Sequence, residues 1–214
     1  RHPSILHMGA PTRWVRVLPA AMCALTGYGV FVYGGSALID PIATQCPDLS
    51  LSIVPYAQGL RSLIFAAWNL AFGPLMVSRG TPARWVGCGT VTALTGLAAT
   101  AGLLQAAPHD LPLYLTLGVL PGLGTGMVYM SVFQPALAWF PDRRGLVAGL
   151  MGAGQAIGTM AWSLGATLFA SALSASQLLL LYAAIVGLCW AFGACVRWPP
   201  SGASDARGLA TSAN

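Results

Sequence analysis

The chain of 214 residues contains no lysine and no glutamate, and only 7% of its residues are charged. Ordinary soluble domains carry about 25% charged residues. This chain therefore lacks the polar surface that keeps a folded domain dissolved in water. Because 56% of its residues are hydrophobic, the composition favours lipid as the solvent of the folded chain.

The chain also has few histidines and no cluster of basic side chains. The three histidines, His2, His7 and His109, share no ligand spacing, so we expect no metal site and no cofactor. The net charge of +5 comes from ten arginines set against five aspartates. The arginines are spread along the chain instead of forming one patch with stacking aromatics, so nucleic acid is not an expected partner.

The chain instead contains six long apolar blocks. A helix that rises 1.5 Å per residue needs about 20 apolar residues to cross a hydrocarbon core about 30 Å thick. The blocks that meet this length lie near residues 17–39, 56–77, 84–106, 112–139, 145–172 and 177–196. The sequence thus predicts an all-α integral membrane protein with six transmembrane helices and multiple passes through the bilayer, in a membrane that the sequence does not specify.

Arginines mark one side of these blocks. They precede the first block, join the second to the third and the fourth to the fifth, and follow the sixth: Arg1, Arg13, Arg16, Arg79, Arg84, Arg143, Arg144, Arg197 and Arg207. The opposite connections carry Asp40, Asp48 and Asp110. Because arginine on short loops marks the cytoplasmic side, we expect both termini in the cytoplasm. Cys46 is the one cysteine expected in an outer loop, so we expect no disulfide.

These features divide the chain into three parts. Residues 1–12 form a cytoplasmic tail and residues 13–197 form the transmembrane domain. Residues 198–214, which are rich in Pro, Gly, Ser and Ala, read as a flexible cytoplasmic tail or the start of a linker.

Glycines recur four residues apart in the fourth and fifth blocks. Gly118, Gly122 and Gly126 share one helix face, and Gly149, Gly154 and Gly158 follow in the fifth block. Missing side chains let another backbone approach, so we expect both blocks to pack tightly and Gly149 and Gly154 to tolerate no added bulk. The same run contains a Gly-x-Gly-x-Gly pattern, but no strand precedes it, so nucleotide binding is not expected. Pro121 and Pro135 are expected to kink the fourth helix.

One turn carries a family resemblance. Residues 113–129 are followed by Trp139-Phe140-Pro141-Asp142-Arg143-Arg144-Gly145. This segment resembles the fourth and fifth helices of the major facilitator superfamily, most closely the branch of oxalate:formate antiporters and monocarboxylate transporters. Residues 13–28 resemble the first helix of that branch, and the resemblance extends over about residues 12–197.

The chain departs from that family in one cytoplasmic loop, in the first helix and in length. The cytoplasmic loop that normally reads Gly-x-x-x-Asp-Arg-x-Gly is here Gly73 to Gly80, with Val77 in place of the acid and Arg79 before the second glycine. The lysine late in the first helix of animal monocarboxylate carriers falls near Val32. Family members have twelve helices in two halves, so the resemblance implies the N-terminal half or a fragment, and a second six-helix half as the partner.

Polar residues near the membrane midplane form the candidate substrate site. Counting ten residues into each helix places Tyr28, Asn69, Tyr129 and Gln155 at about this depth. Polar groups there are costly unless they face the bundle interior or a water-filled path. The first, second, fourth and fifth helices line the central cavity of the resembling family. Each residue could instead only bond a neighbouring helix.

Arg61 is the one charge expected within a helix. If its side chain points inward, it is a counter-charge for a carboxylate substrate. If it points outward, it extends to the lipid headgroups and has no chemical role. The sequence leaves both possibilities open.

Together these features predict secondary transport of a small organic anion, a mono- or dicarboxylate, by alternating access, with a proton or a counter-anion as coupling partner. A non-transporting scaffold or a degenerate transporter remnant is the alternative, which the missing acid at Val77 supports. An intramembrane protease needs a histidine in a late helix, and none lies there, so we do not expect an enzyme.

Overall fold

The computed structural model describes residues 13–47, 49–50, 52–79, 81–106 and 109–199, with the backbone alone at 13, 33–34 and 77–79. Over these residues the chain is helical, without strands. The α-helices are α1 (Leu18–Tyr33), α2 (Ile39–Gln45), α3 (Ile53–Arg79), α4 (Pro82–Ala106), α5 (Asp110–Leu113), α6 (Leu120–Ala138), α7 (Arg144–Phe169) and α8 (Ala175–Gly193). The predicted tail 1–12 lies outside the described residues, as do residues 200–214 of the predicted tail 198–214 and Gly80.

Two helices begin with a widened turn, each just before a proline. A π-helical turn, Arg13–Val17, precedes α1, whose second residue is Pro19. Another, Tyr114–Val119, joins α5 to α6, whose second residue is Pro121. Proline has no N–H to bond the carbonyl four residues earlier, and a π turn is one way in which a helix adapts to such an interruption. A π turn thus precedes Pro121, and the kinks predicted at Pro121 and Pro135 stay predictions.

Four helical segments of the described chain are long and apolar enough to cross a membrane. They are Trp14–Val32, Pro82–Ala106, Asp110–Ala138 and Ala175–Gly193. The helices α3 and α7 contain 27 and 26 residues and are not among the four. Gln58, Arg61 and Asn69 make α3 less apolar, and Gln155 and several glycines do the same in α7.

The helices pack in the order α3, α6, α4, α8, α1 and α7. The most extensive contacts are those of α6 with α4 and α3, of α1 with α7 and α8, and of α4 with α8. A further contact joins α1 to α6. The helices α3 and α7 therefore stand at the two ends of the series, and each keeps a face that no other described helix covers.

The connection that contains Cys46 is closed. Cys46, expected in an outer loop, lies in the connection directly after α2 and is 6% exposed. Its thiol donates to the Leu104 carbonyl oxygen across 3.7 Å. The short helix α2 folds back over the ends of α4 and α8, which buries this cysteine.

Candidate functional site

Four aromatic rings meet where α1, α3 and α6 come together. The Tyr28 ring centroid lies 4.8 Å from that of Tyr129 and 5.7 Å from that of Phe65. Phe65 and Tyr129 are 5.5 Å apart, and Phe133 stacks on Tyr129 at 5.2 Å. We call Tyr28, Phe65, Tyr129 and Phe133 the aromatic cluster. The cluster contains the two predicted tyrosines and two phenylalanines, which were not predicted because they are not polar.

Asn69 lies one helical turn beyond Phe65 on α3. Its Nδ2 donates to the Phe65 carbonyl oxygen at 2.9 Å. Its Oδ1 is buried and has no hydrogen-bond partner. Residues four apart share a helix face, so Asn69 and Phe65 lie on the same side of α3. A buried amide oxygen without a donor costs free energy, which favours a water or a ligand donor at this position.

Gln155 lies on the face of α7 that packs on α1, and its side chain is half-buried. A Cβ at Gly29 would collide with the Gln155 carbonyl oxygen, so the two backbones are in direct contact. Gly29 follows Tyr28 in the chain. The Gln155 backbone is therefore one residue away from Tyr28 of the aromatic cluster.

The Arg61 side chain points into the bundle. It is 3% exposed, and its Nη2 donates to the Val32 carbonyl oxygen at 2.6 Å. The guanidinium carbon lies 4.9 Å from the Phe31 ring centroid, in cation–π geometry. The Nε atom is buried and has no hydrogen-bond partner. The alternative in which Arg61 extends to the headgroups does not describe this structure.

Arg61 is also a buried charge that pairs with none of the aspartates in the described part of the chain. Arg61 lies one helical turn before Phe65 on α3. The Phe31 ring that it contacts lies one turn after Tyr28 on α1. Arg61 is therefore one turn from the aromatic cluster. Among the described residues, the carboxylates Asp40, Asp110 and Asp142 are exposed, and the ion pair seen is the exposed one between Asp142 and Arg143, at 3.9 Å. An uncompensated buried charge is costly and is the strongest electrostatic feature near the cluster.

Three glycines spaced four residues apart face α3: Gly118 in the π turn before α6, and Gly122 and Gly126 in α6. A Cβ would lie 3.2 Å from the Ala57 carbonyl oxygen at Gly118, 2.8 Å from the Arg61 carbonyl oxygen at Gly122, and 2.8 Å from the Trp68 ring at Gly126. Close backbone packing in this way sets the distance between α3 and α6. These glycines therefore hold the helices that carry Phe65 and Tyr129.

The glycines of α7 divide into two groups. A Cβ at Gly154 would lie 3.1 Å from the Met22 carbonyl oxygen, and one at Gly158 would collide with the Thr26 backbone of α1. A Cβ at Gly149 would meet no atom within 4 Å. The expectation of tight packing at Gly149 is therefore wrong for the described chain, because this residue lies on the uncovered face of α7.

The residues of the predicted cytoplasmic loops lie in a turn, at helix ends and, for Gly73, inside a helix. Asp142 and Arg143 are exposed in the turn before α7, and Arg144 is exposed at the first position of α7. The Trp139 indole of the same turn donates to the Arg197 carbonyl oxygen at 2.7 Å. Gly73 is buried in α3, where a Cβ would lie 3.4 Å from the Met130 side chain. Arg79 ends α3, and its side chain is outside the described part.

Comparison with known proteins identifies relatives of this chain, although no protein-family model matches it. It is 24% identical over 185 residues to the uncharacterised MFS-type transporter YhjX of Escherichia coli, covering 86% of this chain and 44% of that protein. It is 29% identical over 150 residues to the oxalate:formate antiporter of Oxalobacter formigenes, covering 69% and 34%. It is 32% identical over 126 residues to apicoplast pyruvate carrier 1 of Toxoplasma gondii, covering 53% and 23%.

The chain thus spans less than half the length of each of these relatives. All three are named as transporters or carriers, and none as an enzyme. Their similarity agrees with the resemblance carried by the turn at residues 139–145. The apolar helices and these relatives identify the chain as an integral, multi-pass membrane protein homologous to transporters of the major facilitator superfamily.

Proposed function

We propose that this chain forms a six-helix half of a secondary transporter that moves a small mono- or dicarboxylate by alternating access. In this proposal residues 13–197 are the transmembrane domain, and α3 and α7 cross the bilayer beside the four more apolar segments. The arginines before α1, between α3 and α4, between α6 and α7, and after α8 face the cytoplasm. Both termini are then cytoplasmic.

The buried charge of Arg61 beside the aromatic cluster is the observation that carries the proposed substrate class. A guanidinium prefers a carboxylate to any neutral acceptor and binds it through parallel N–H donors. Two of the relatives are named for pyruvate and for oxalate and formate, all of which are carboxylates. The molecules in these names are anions, and the positive charge of Arg61 would attract an anion.

The proposed substrate contacts are Tyr28, Arg61, Asn69, Tyr129 and Gln155. Arg61 supplies the positive charge, and the two tyrosine hydroxyls and the two side-chain amides supply hydrogen-bond donors. Phe65 and Phe133 exclude water around the organic part of the anion. The proposed site is thus mostly apolar, and a few polar groups fix the orientation of the substrate, as in other small-molecule sites.

The uncovered faces of α3 and α7 support a second six-helix half as partner. Large apolar side chains are exposed along both helices: Tyr56, Leu63, Leu70, Phe72, Leu75, Leu146, Ile157, Met160, Leu164 and Leu168. Substrates of repeat-built transporters lie near the midplane between the two halves. The coupling partner is then either a proton or a counter-anion that exchanges with the substrate.

A non-transporting scaffold or a degenerate remnant of a transporter is the second candidate. The observation that favours it is Val77, which stands where the family's cytoplasmic loop carries an acid. An intramembrane enzyme is the least supported reading.

Uptake into proteoliposomes tests the proposal. The complete protein, joined to a second half where its gene encodes one, is reconstituted with and without internal oxalate, and entry of labelled oxalate, formate and pyruvate is measured. We expect saturable uptake of at least one of them. Arg61→Gln should raise the substrate concentration that gives half-maximal uptake by about tenfold or more, because a hydrogen bond to a charged group is lost.

Ser62→Ala serves as the matched control, because this exposed neighbour bonds only the Gln58 carbonyl of its own helix. It should transport like the unmodified protein. No uptake of any carboxylate by correctly inserted protein would refute the substrate class and favour the scaffold.

A further inference from the structure

Three carbonyl oxygens at the end of α1 accept hydrogen bonds from three other helices. Tyr182 of α8 donates its hydroxyl to the Phe31 carbonyl oxygen at 2.5 Å. Arg61 of α3 donates to Val32 at 2.6 Å. The Thr159 hydroxyl of α7 has two acceptors within reach, the Gly29 carbonyl oxygen of α1 at 3.1 Å and the Gln155 carbonyl oxygen of its own helix at 3.0 Å. We call these donors the α1 clamp.

The clamp acts where α1 changes its winding. The α-helix ends at Tyr33, and a 3-10 segment, Gly34–Leu38, follows. The last four carbonyls of an α-helix lose their regular partners at such an end and need other donors, and those of Phe31 and Val32 are two of these four. Cross-helix donors therefore stabilise the turn that follows Tyr28, and through it the position of Tyr28 in the aromatic cluster.

Arg61 differs from the other two donors in having a stronger acceptor available. Its bond to Val32 joins a cation to a neutral carbonyl, and its Nε is buried without a partner. A carboxylate forms charge-assisted bonds about twice as strong as bonds between neutral groups, and it can engage two guanidinium nitrogens at once. An anion that reaches the cluster competes directly with Val32 for this side chain.

We infer that Arg61 is a positioning residue that couples substrate binding to α1: it holds the end of α1 through Val32 in the empty protein, and a bound carboxylate takes the guanidinium and releases that end. The second step rests on the proposed function, and the first does not. Release frees the Gly34–Leu38 segment, while Tyr182 and Thr159 retain their bonds. Binding energy is thereby converted into movement of one helix end, as an exchange cycle requires.

Hydrogen exchange followed by mass spectrometry tests both steps on the complete protein in lipid nanodiscs. The observable is the exchange rate of backbone amides 34–38, which lie beyond the apolar segment Trp14–Val32. The probes are oxalate and pyruvate, with potassium chloride at equal ionic strength as the reference. Bound label is measured in parallel with radioactive oxalate and pyruvate.

Without a carboxylate, Arg61→Gln should exchange about tenfold faster or more at residues 34–38 than the unmodified protein, since it loses a charged donor. Arg61→Lys, which keeps the charge and one donor, should restore part of the slow exchange. A saturating carboxylate should accelerate exchange in the unmodified protein and change nothing in Arg61→Gln. Tyr182→Phe should exchange faster at rest and still respond to the anion, because Arg61 remains. Ser62→Ala should behave as the unmodified protein does.

Equal exchange in Arg61→Gln and the unmodified protein would overturn the clamp. If a carboxylate binds and leaves residues 34–38 unchanged, the release step is wrong and the proposed function stands. If no probe binds although Arg61→Gln exchanges faster, the proposed substrate class fails and the release step fails with it. Tyr182→Phe keeps the clamp testable should Arg61→Gln not fold.

Discussion

The helix α7 contains two glycines whose surroundings differ, although both were expected to be packed. Gly158 touches the Thr26 backbone of α1, whereas Gly149 has no atom near the position of an added Cβ. Four-residue spacing predicts which residues share a helix face, but it does not say whether another helix covers that face. The face shared by Gly154 and Gly158 is covered by α1.

The pair gives a matched test of packing. Gly158→Ala should destabilise the protein by about 1–3 kcal/mol, because the methyl group must force α1 and α7 apart. Gly149→Ala should change stability by less than about 1 kcal/mol, since only helix propensity changes. Thermal unfolding in detergent, followed by circular dichroism, measures both. Equal losses of stability in the two variants would show that α1 and α7 do not pack as described.

Single residues of the site were predictable only in part. Depth counting identified Tyr28 and Tyr129, whose rings do meet, because polar groups are rare at the midplane and therefore conspicuous. Phe65 and Phe133 passed unnoticed, since an apolar ring in an apolar helix carries no signal. The direction of Arg61 could not be read from the sequence, because it depends on which neighbouring helix presents a free carbonyl.

At the scale of elements, α2 closes one end of the bundle, where Gln45 bonds both α4 and α8. Gln45 Nε2 lies 3.3 Å from the Leu104 carbonyl oxygen of α4 and 3.1 Å from the Ser176 hydroxyl of α8. The Ser176 backbone N–H donates to Gln45 Oε1 at 3.3 Å. Ser174 and Gln177 form a capping box at the start of α8 beside this contact. A short element like α2, between two apolar blocks, has no periodicity from which the sequence could predict it.

Replacement of Gln45 tests whether this contact holds the elements together. Gln45→Ala should lower stability by about 1–3 kcal/mol, because it leaves the Ser176 amide without its partner and the Leu104 carbonyl with only the weak Cys46 thiol donor. It should also expose Cys46 to thiol reagents. Thr44→Ala, an exposed neighbour that bonds the Asp40 carbonyl oxygen, is the control and should do neither. Unchanged melting temperature and thiol reactivity in Gln45→Ala would show that α2 is held by other contacts.

At the scale of the whole molecule, the order of helices places α3 and α7 at the two ends. The sequence predicted the long helices from the length of apolar runs, since bilayer thickness sets that length. The sequence could not predict that α6 lies between α3 and α4. Glycine spacing shows which face of a helix can pack closely, but it does not show which helix packs there. The observed order exposes the same two helices that the proposed second half would cover.

The proposed orientation rests on the arginine distribution and is open to direct measurement. In a background without native cysteines, Ser52→Cys should react with a membrane-impermeant maleimide from outside intact cells, and Asp142→Cys should react only after permeabilisation. Both positions are exposed, so burial does not limit either reaction. Labelling of Asp142→Cys from outside would reverse the orientation and remove the support for the motif alignment.

The central claim is that carboxylates bind beside the aromatic cluster, and substrate protection of Asn69→Cys tests it most directly. In the same cysteine-free background, with the protein in lipid nanodiscs whose two faces are both open to solvent, a small thiol reagent should reach this position through a water path, and oxalate or pyruvate should slow the reaction at least about tenfold at saturation. Thr81→Cys, exposed between α3 and α4, should react at the same rate with and without the anion. Free reaction of Asn69→Cys at every carboxylate concentration would contradict the claim.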